Sequence, residues 1–366
     1  MVRVLQMLGT LDCGGQESFV MNVYRNINRE KVQFDFIVSN VNNDAYFYES
    51  EAEKLGANIF RVNLKSKRPI KSFFQIIKIV KKGNYKIVHK HSNISLMGID
   101  LLAAKFGGAK ILISHSHSTK LDVKYKEYIN KLFIPFLNKI STDKLACSYK
   151  AGLWLYGKNN FKVINNGIEI EKFIYSEKIR LDIRNELHID NKFVIGHIGR
   201  FTYAKNHMFL LEIIYELKKI NSNTLLILIG EGELRNEIQL KIKELSLEDN
   251  VMILGLQRDV GKIMQGFDVF VFPSFYEGLP LTVIEAQAAG LPCVISNTIT
   301  NEVCITKLIK RIPLSKMANQ WAKEVIDLYN TTQRENQYET LKKSNYNIKK
   351  VANGLEKFYL SFNSFK

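Results

Sequence analysis

Residues 268–290 read DVFVF-PSFYEGLP-LTVIEAQAAG and combine a strand, a loop and the start of a helix. The run 268–272 is short and almost entirely apolar, which is typical of a strand buried on both faces of a parallel sheet. The last part of the stretch has a helical pattern, with Pro280 tolerated in the first turn and Gly290 closing the helix. Glu277 therefore follows the carboxyl end of a buried strand, where open α/β sheets bind ligands.

The composition predicts a globular chain of two domains. The 366 residues are 46% hydrophobic and 24% charged. No apolar run approaches the ~20 residues that cross a bilayer, and residues 2–7 read as a strand rather than a signal peptide. The four cysteines have neither metal-ligand spacing nor a disulfide framework, so we expect a reduced, cytoplasmic setting. They are Cys13, Cys147, Cys293 and Cys304.

Positive charge is concentrated in one part of the chain. Lys and Arg number 52 against 36 Asp and Glu, a net charge of +16. Residues 61–162 hold 21 Lys and Arg against four acids, a surplus of 17, so the remainder is close to neutral. A solvated lysine-rich surface would explain the excess, and so would a face that meets anionic lipid or nucleic acid.

Residues 70–82 mix aliphatic and aromatic residues with lysines at roughly helical spacing. This pattern is typical of a helix lying on a membrane surface. It is equally typical of a helix with an apolar side toward the core and a basic side toward solvent. The sequence leaves both interpretations open.

Strands and helices alternate in two series, which predicts parallel sheets covered by helices. We therefore expect an α/β protein of two Rossmann-like domains with parallel sheets facing each other across a cleft. The domains are predicted at 1–168 and 193–346, with a linker at 169–192 and a helix at about 347–366 crossing back to the first domain. Strands are expected at 2–7, 33–38, 57–62, 86–89, 110–114, 144–147, 193–199, 224–230, 251–255, 268–272 and 292–295.

Two predicted loops could bind phosphate groups. In the loop 9–17, Gly14 and Gly15 allow backbone N–H groups to approach an anion at a helix N-terminus. In the loop 199–206, Arg200 and Lys205 place two cations at the end of a strand, where a pair of phosphates could lie.

Two further loops carry polar side chains at predicted strand ends. The loop 113–119 holds His115 and His117, either of which could face the cleft. In the segment from Glu277 to Glu285, the N–H groups of Gly278 and Leu279 could point at a diphosphate with the helix dipole behind them.

Several motifs occur in one order along nearly the whole chain. They are Gly14-Gly15, Asn166-Gly167-Ile168, Gly199-Arg200 with Lys205, Gly230-Glu231-Gly232 and the Glu-x7-Glu of 277–285. This ordered set resembles glycosyltransferase family 4, which implies retaining, metal-independent enzymes of the GT-B fold. The stretch 276–292 is especially similar to the bacterial members that build capsule and exopolysaccharide.

The resemblance implies roles for the residues that match. Arg200 and Lys205, next to Gly199, would hold the donor diphosphate and stabilise the leaving group. Glu277 would contact the transferred sugar, and Glu285 would bind the donor ribose hydroxyls.

The resemblance assigns further contacts more loosely. Gly15 would face the diphosphate from the first domain, and His117 is similar to the family's cleft histidine. Leu256 and Arg258 would border the nucleotide base. The family often has a Gly-rich loop where this chain reads SNTITNEV at 296–303.

The implied reaction is transfer of a hexose or N-acetylhexosamine from a nucleotide diphosphate sugar, UDP-linked, to a lipid-linked or oligosaccharide acceptor. We expect this activity in bacterial surface polysaccharide synthesis. No cofactor, metal or nucleic-acid partner is expected. Basic residues of 61–162 would hold the enzyme at the inner face of the cell membrane.

Three rival functions were weighed against this one. A sugar-nucleotide epimerase on the same fold would share the diphosphate site, and a nucleic-acid-binding protein would explain the basic segment. A hydrolase would use Glu277 and Glu285 as acid and base. Eight helical steps would place them ~12 Å apart, beyond the roughly 5–9.5 Å of paired glycosidase carboxyls.

Overall fold

The computed structural model describes residues 1–12, 14–40, 45–118 and 124–362. The chain divides into two compact units, Met1–Gly167 with Asn345–Lys366, and Ile168–Ser344. Cys13, Thr119 at the end of the histidine loop, and residues 363–366 of the predicted closing helix lie outside the described residues.

Within the described residues, the first unit contains a parallel sheet of seven strands. The strands are β1 (Val2–Met7), β2 (Val32–Asn40), β3 (Ile59–Asn63), β4 (Ile87–His91), β5 (Ile111–Ser116), β6 (Asp143–Ala146) and β7 (Lys162–Val163). The helices are α1 (Gly15–Asn26), α2 (Glu49–Lys54), α3 (Pro69–Lys82), α4 (Met97–Phe106), α5 (Lys124–Ile140) and α6 (Tyr149–Tyr156). The strand order is β3-β2-β1-β4-β5-β6-β7, so the direction of growth reverses between β1 and β4.

Alternating residues of β1 show why helices cover both faces of this sheet. Val4 belongs to a core cluster that includes Phe19 of α1. The next residue, Leu5, belongs to a separate cluster with Ile76 of α3 and Leu101 of α4. Successive side chains of a strand point to opposite faces, so a strand that is apolar at consecutive positions requires two covering layers.

The second unit contains a parallel sheet of six strands within the described residues. The strands are β8 (Phe193–Ile198), β9 (Thr224–Ile229), β10 (Val251–Gly255), β11 (Val269–Phe272), β12 (Cys293–Ser296) and β13 (Ile309–Ile312). The helices are α7 (Glu177–Glu186), α8 (His207–Ile220), α9 (Arg235–Glu244), α10 (Val260–Gln265), α11 (Leu281–Ala288), α12 (Ala318–Thr331) and α13 (Tyr338–Lys343). The order is β10-β9-β8-β11-β12-β13, with the reversal between β8 and β11.

The predicted α/β class with two parallel sheets is confirmed. The last helix, α14 (Ile348–Ser361), belongs to the first unit, where Leu355 and Tyr359 are buried against the core. The short strands β7 and β13 were not predicted, because four residues or fewer give little periodic signal.

The segment 169–192, predicted as a linker, has regular secondary structure. This segment contains a 3-10 turn at Ile170–Lys172 and the helix α7, both in the second unit. Arg180 and Arg184 of α7 form ion pairs of 2.5 and 3.3 Å with Asp268, which is only 8% exposed. The polar composition suggested a linker, but these arginines form ion pairs with a buried carboxylate instead of facing solvent.

The helix predicted in 70–82 is α3, and one of its sides faces the core. Ser72, Ile76 and Val80 are buried against the first unit. On the outer side, Ile70 and Phe74 remain 74% and 62% exposed. The helix therefore has a core-facing side and an outer side with large apolar residues.

Candidate functional site

The strand order of the second unit creates one preferred place for a ligand. The sheet grows in opposite directions from β8 and β11, and open α/β sheets bind ligands in a crevice at such a reversal point. The loops after these two strands are residues 199–206 and 273–280, and both were predicted to bind ligand. Parallel strands bring their carboxyl ends to the same edge of the sheet.

Lys205 and Glu277 form an ion pair across this crevice. The Lys205 Nζ lies 2.7 Å from the Glu277 Oε1, and each side chain is 15% exposed. The same Nζ lies 4.6 Å from the centroid of the Phe272 ring, within the range of a cation–π contact. The lysine is therefore held at the reversal point by an acid from one side and an aromatic face from the other.

Hydrogen bonds fasten the two loops to each other. Asn206 adopts the left-handed conformation (φ 55°) and donates from Nδ2 to the Pro273 carbonyl at 3.1 Å. The Phe275 N–H donates to the Ala204 carbonyl at 2.8 Å. The sequence assigned no role to Asn206, although Asn is one of the few non-glycine residues that adopt this conformation. These bonds set the distance between the strand ends that carry Lys205 and Glu277.

A glycine makes room for the lysine. A Cβ at Gly199 would lie 2.9 Å from the Lys205 Cε, so the aliphatic stem of the lysine occupies the space of the missing side chain. Gly230, with φ 145°, would place a Cβ against the Gly199 carbonyl. The loops after β8 and β9 can approach this closely only because both positions are glycine.

The segment that departs from the family pattern supports the loop of Glu277. The Thr298 hydroxyl donates to the Ser274 carbonyl at 3.0 Å. Ser296 contacts Thr298 in turn, with 2.5 Å between the hydroxyl oxygens. Polar side chains at 296–298 therefore brace this loop without a glycine-rich turn.

Glu285 lies on α11, two turns after the loop of Glu277. Burial raises the pKa of its carboxyl to about 7, because the ionised form loses hydration. An acid titrating near neutral pH beside a ligand crevice is characteristic of a functional group. Hydroxyl groups that donate to its carboxylate would favour the ionised form.

Three other predicted residues lie at the same edge of the sheet but outside the ion pair. The Arg200 side chain is 76% exposed, with its Nε 4.0 Å from the Glu233 Oε2. Leu256 and Arg258 follow β10 and are exposed. Gly278 and the buried Leu279 lie in the loop just before α11, as the sequence predicted.

In the first unit, Gly14 and Gly15 open α1 as expected, but a carboxylate covers one of them. Gly14 is the residue before the helix, and the side chain of Glu17 lies against it where a Cβ would be. Burial raises the pKa of Glu17, and hydrogen bonds from its own backbone and from Thr10 oppose that rise. Nothing lies within 4 Å of a Cβ at Gly15, so that glycine stays open to a ligand.

Four histidines gather at the carboxyl ends of β4 and β5, next to the reversal point of the first sheet. They are His89, His91, His115 and His117. Burial lowers the pKa of His89 and of His117 to about 3, and also lowers the pKa of His91 and His115 well below the usual value. His115 is fully buried and His117 is partly exposed, which favours His117 as the ligand contact.

Three of these histidines are close enough to be considered as metal ligands. One nitrogen each of His89, His91 and His115 lie within 4.8 Å of one another. The rings of His89 and His115 are nearly parallel, at an interplanar angle of 7° and a centroid distance of 5.3 Å. In stacked rings, the nitrogen lone pairs point in parallel directions. The nitrogens that bind a metal must instead point at one ion, at a distance of about 2.0–2.1 Å. The arrangement as built fits stacking better than coordination.

Comparison with known proteins identifies the class. Residues 179–350 match the family model described as "Glycosyl transferases group 1". EpsF of Bacillus subtilis, which is named as a glycosyltransferase, is 34% identical over 88% of this chain and 86% of its own. The chain belongs to the group 1 glycosyltransferases.

Two further similarities extend this result. A galactosyltransferase of Escherichia coli, named UDP-Gal:alpha-D-GlcNAc-diphosphoundecaprenol alpha-1,3-galactosyltransferase, is 29% identical over 67% of this chain and 66% of its own. HepE of Anabaena, solved in complex with UDP-glucose, has a TM-score of 0.80 at 15% identity, over 99% of this chain and 100% of its own. The structural similarity shows the fold alone.

The group 1 membership confirms the glycosyltransferase and GT-B predictions. The epimerase, hydrolase and nucleic-acid-binding alternatives find no support among these relatives. Among the described helices, none is both long and apolar enough to span a bilayer. The roles of the individual site residues stay predictions.

Proposed function

We propose that this glycosyltransferase moves a hexose or N-acetylhexosamine from a nucleotide diphosphate sugar to a lipid-linked saccharide, with retention of configuration. The observation that carries the proposal is the Lys205–Glu277 pair at the reversal point of the second sheet. A cation fixed in a partly buried crevice can stabilise the charge that develops on a departing diphosphate.

The pair explains how one site could serve both halves of the donor. Lys205, with Arg200 beside it, would bind the diphosphate, while Glu277 is close enough to accept hydrogen bonds from the adjoining sugar. The N–H groups of Gly278 and Leu279, next to the start of α11, would add donors toward the same phosphates. When a diphosphate binds at Lys205, the lysine ammonium group would contact both the diphosphate and the Glu277 carboxylate.

The remaining donor contacts follow the same edge of the sheet. Glu285 would accept hydrogen bonds from the ribose hydroxyls, and Leu256 and Arg258 would border the base. From the first unit, Gly15 would meet the diphosphate and His117 the transferred sugar; the family resemblance supports both. Gly14 would contribute once the side chain of Glu17 moves aside.

The names of relatives support a lipid-linked acceptor. The Escherichia coli relative is named for transfer from UDP-Gal to a sugar on diphosphoundecaprenol. CapH of Staphylococcus aureus, 28% identical over 81% of this chain, is named as a capsular polysaccharide biosynthesis glycosyltransferase. We propose the same acceptor class and a UDP-linked donor here.

An acceptor with a lipid tail places the enzyme at a membrane surface, and one exposed patch suits that contact. We define the α3 patch as Ile70, Phe74 and Phe106, with Lys71 and Lys78. The three apolar side chains are 74%, 62% and 65% exposed. The ring of Phe73 joins them, 5.8 Å from Phe74 and 6.2 Å from Phe106 between centroids. Apolar side chains beside lysines favour an anionic bilayer.

The proposed donor can be tested by binding. Purified protein would be screened with UDP-, GDP- and ADP-sugars by thermal shift, each with EDTA and with added magnesium. We expect UDP-sugars to raise the melting temperature equally in both conditions, since the proposed cations are Lys205 and Arg200. Stabilisation that requires magnesium would refute metal independence, and stabilisation by GDP- or ADP-sugars alone would refute the UDP donor.

A further inference from the structure

A chain of hydrogen bonds links four side chains behind His117 in the first unit. The His117 Nε2 lies 2.8 Å from the His91 Nδ1, and the His91 Nε2 lies 2.9 Å from the Gln6 Oε1. The Gln6 Nε2 donates to the Tyr359 hydroxyl at 3.4 Å, and that hydroxyl lies 2.7 Å from the His89 Nδ1. Gln6 lies on β1, the histidines follow from β4 and β5, and Tyr359 comes from α14.

The direction of this chain follows from the chemistry of its members. The Gln6 Oε1 can only accept, so the His91 Nε2 must carry the proton of that ring. The His91 Nδ1 is then an acceptor and takes its hydrogen bond from the His117 Nε2. A neutral imidazole carries one proton, which leaves the His117 Nδ1 unprotonated.

The surroundings keep all three rings neutral, as this assignment requires. Gln6, His89 and His91 are at most 2% exposed, and burial disfavours the imidazolium form. The ring of Phe19 covers His91 and His117 at centroid distances of 6.4 and 5.4 Å.

The end of the chain is a ring nitrogen that lacks a hydrogen-bond partner within the described part of the protein. The His117 Nδ1 is covered and has no hydrogen-bond partner among the residues that the structure describes. The His117 side chain as a whole is partly exposed. A covered lone pair without a partner is unfavourable in the free protein and becomes satisfied when a hydroxyl donates to it.

We propose that Gln6 is a positioning residue that, through His91, fixes His117 in the tautomer with an unprotonated Nδ1. In this tautomer, the His117 Nδ1 would accept a hydrogen bond from a hydroxyl of the substrate. This substrate contact rests on the proposed function, whereas the tautomer assignment is independent of it. Rotating the Gln6 amide by half a turn would reverse every donor and acceptor and place the His117 proton on Nδ1. In this structure the amide nitrogen faces the Tyr359 hydroxyl and the amide oxygen faces the His91 Nε2.

The tautomer can be read directly by NMR without any substrate. In protein labelled with nitrogen-15 in its histidine rings, two-bond proton–nitrogen spectra distinguish protonated from unprotonated ring nitrogens. The His117 signals are identified by their loss in His117→Gln. We expect one neutral tautomer with the proton on Nε2. A proton on Nδ1 in the unaltered protein would overturn the proposal.

A pair of matched variants tests the role of Gln6. Gln6→Met keeps the length of the side chain and removes the amide, and we expect His117 to populate both tautomers. Gln33→Met is the control, since Gln33 is also a buried glutamine of this sheet but donates to Tyr24 at 2.7 Å. It should leave the His117 signals unchanged. An unchanged His117 tautomer in folded Gln6→Met would contradict the proposal.

If Gln6→Met fails to fold, His91→Phe tests the next link, because it keeps a stacked ring and removes the acceptor for His117. Loss of a single His117 tautomer is expected, and its persistence would contradict the proposal. In transfer assays, Gln6→Met should lower kcat/KM by about 10- to 100-fold, the range for residues that orient metal-bound histidines through a hydrogen bond. Full activity of His117→Gln together with the expected tautomer would refute the role of His117 and leave the tautomer assignment standing.

Discussion

The Lys205 Nζ lies 2.7 Å from the Glu277 Oε1, although the two residues are 72 positions apart in the chain and follow different strands. Each side chain is largely covered, so the pair is screened less than the surface ion pairs of this protein. The arrangement holds a cation in place before any ligand arrives. Removal of either partner should therefore affect ligand binding, and the two removals should act in opposite directions.

The first prediction compares Lys205→Ala with Glu277→Gln. Lys205→Ala should weaken UDP binding and lower kcat by about 10²–10³, the usual effect of removing one charge-stabilising group. Glu277→Gln should abolish transfer but strengthen UDP binding several-fold, because a negative charge next to the diphosphate is removed. Calorimetry with UDP and a transfer assay measure both effects.

The control for this comparison is the exposed pair Lys219–Glu216, which has the same 2.7 Å separation. Lys219→Ala and Glu216→Gln should leave UDP affinity and kcat within twofold of the unaltered enzyme. Weaker UDP binding in Glu277→Gln, or normal turnover in Lys205→Ala, would contradict the assigned roles.

The second prediction concerns the pH dependence of donor binding. The pKa of Glu285 is raised to about 7, so its carboxyl is mostly protonated at pH 6 and mostly ionised at pH 8. In the proposed site, ribose hydroxyls would donate to the ionised form, so donor binding would lower this pKa and release a proton. UDP affinity should therefore rise as the pH increases through 7, and this rise should be absent in Glu285→Gln.

The raised pKa of Glu285 has the opposite effect on the stability of the folded protein, which should decrease as the pH rises. The folded protein keeps the proton of Glu285 above the ordinary pKa of 4.5, so the free energy of unfolding should fall as the pH rises from 4.5 to about 7. Urea unfolding of Glu285→Gln should show a smaller decrease over this range. A pH profile of UDP affinity identical in both proteins would refute the assignment of Glu285 to the ribose.

The third prediction concerns the close approach of Gly199 and Lys205. Gly199→Ala should displace the flexible lysine stem rather than the backbone, so the melting temperature should change little while KM for the donor rises. Gly354→Ala is the contrast, because nothing lies within 4 Å of a Cβ there. In the interior of α14 it should stabilise the protein by about 1 kcal/mol without changing KM. An unchanged KM in Gly199→Ala would show that the position of Lys205 is unimportant.

The fourth prediction tests the α3 patch. The double variant Ile70→Ser, Phe74→Ser should bind vesicles of phosphatidylglycerol and phosphatidylcholine at least about tenfold more weakly, since each apolar side chain contributes about 1.5–3 kcal/mol when buried. Added salt should weaken binding of the unaltered protein through its lysines. Vesicle co-sedimentation measures both.

Leu240→Ser provides the matched control for the patch. Leu240 is 67% exposed on α9 of the second unit, next to Lys241, so it has the same chemistry at another place. It should leave vesicle binding unchanged. Equal losses in both variants would indicate unspecific adhesion, and no binding by the unaltered protein would remove the membrane contact from the proposal.

Much of the candidate site could be predicted because it depends on local patterns. The apolar run at 269–272 and the helical pattern from Leu281 placed Glu277 at a strand end, and the structure has β11 and α11 within one residue of the prediction. Arg180 and Arg184 show where local patterns mislead. Their helix appeared to be a linker because its partner, Asp268, lies 84 residues or more away in the chain.

The sequence by itself determined the alternation of strands and helices and the residue types at the strand ends, because these depend on periodicity over a few neighbouring positions. Only the tertiary structure decided which of those residues meet. Lys205 reaches Glu277 because β8 and β11 are adjacent in the sheet, and Gln6 reaches Tyr359 across 353 positions. Glu17 covers Gly14 because its side chain folds back over the start of α1. Strand order and side-chain packing are properties of the whole folded chain, so no local pattern contains them.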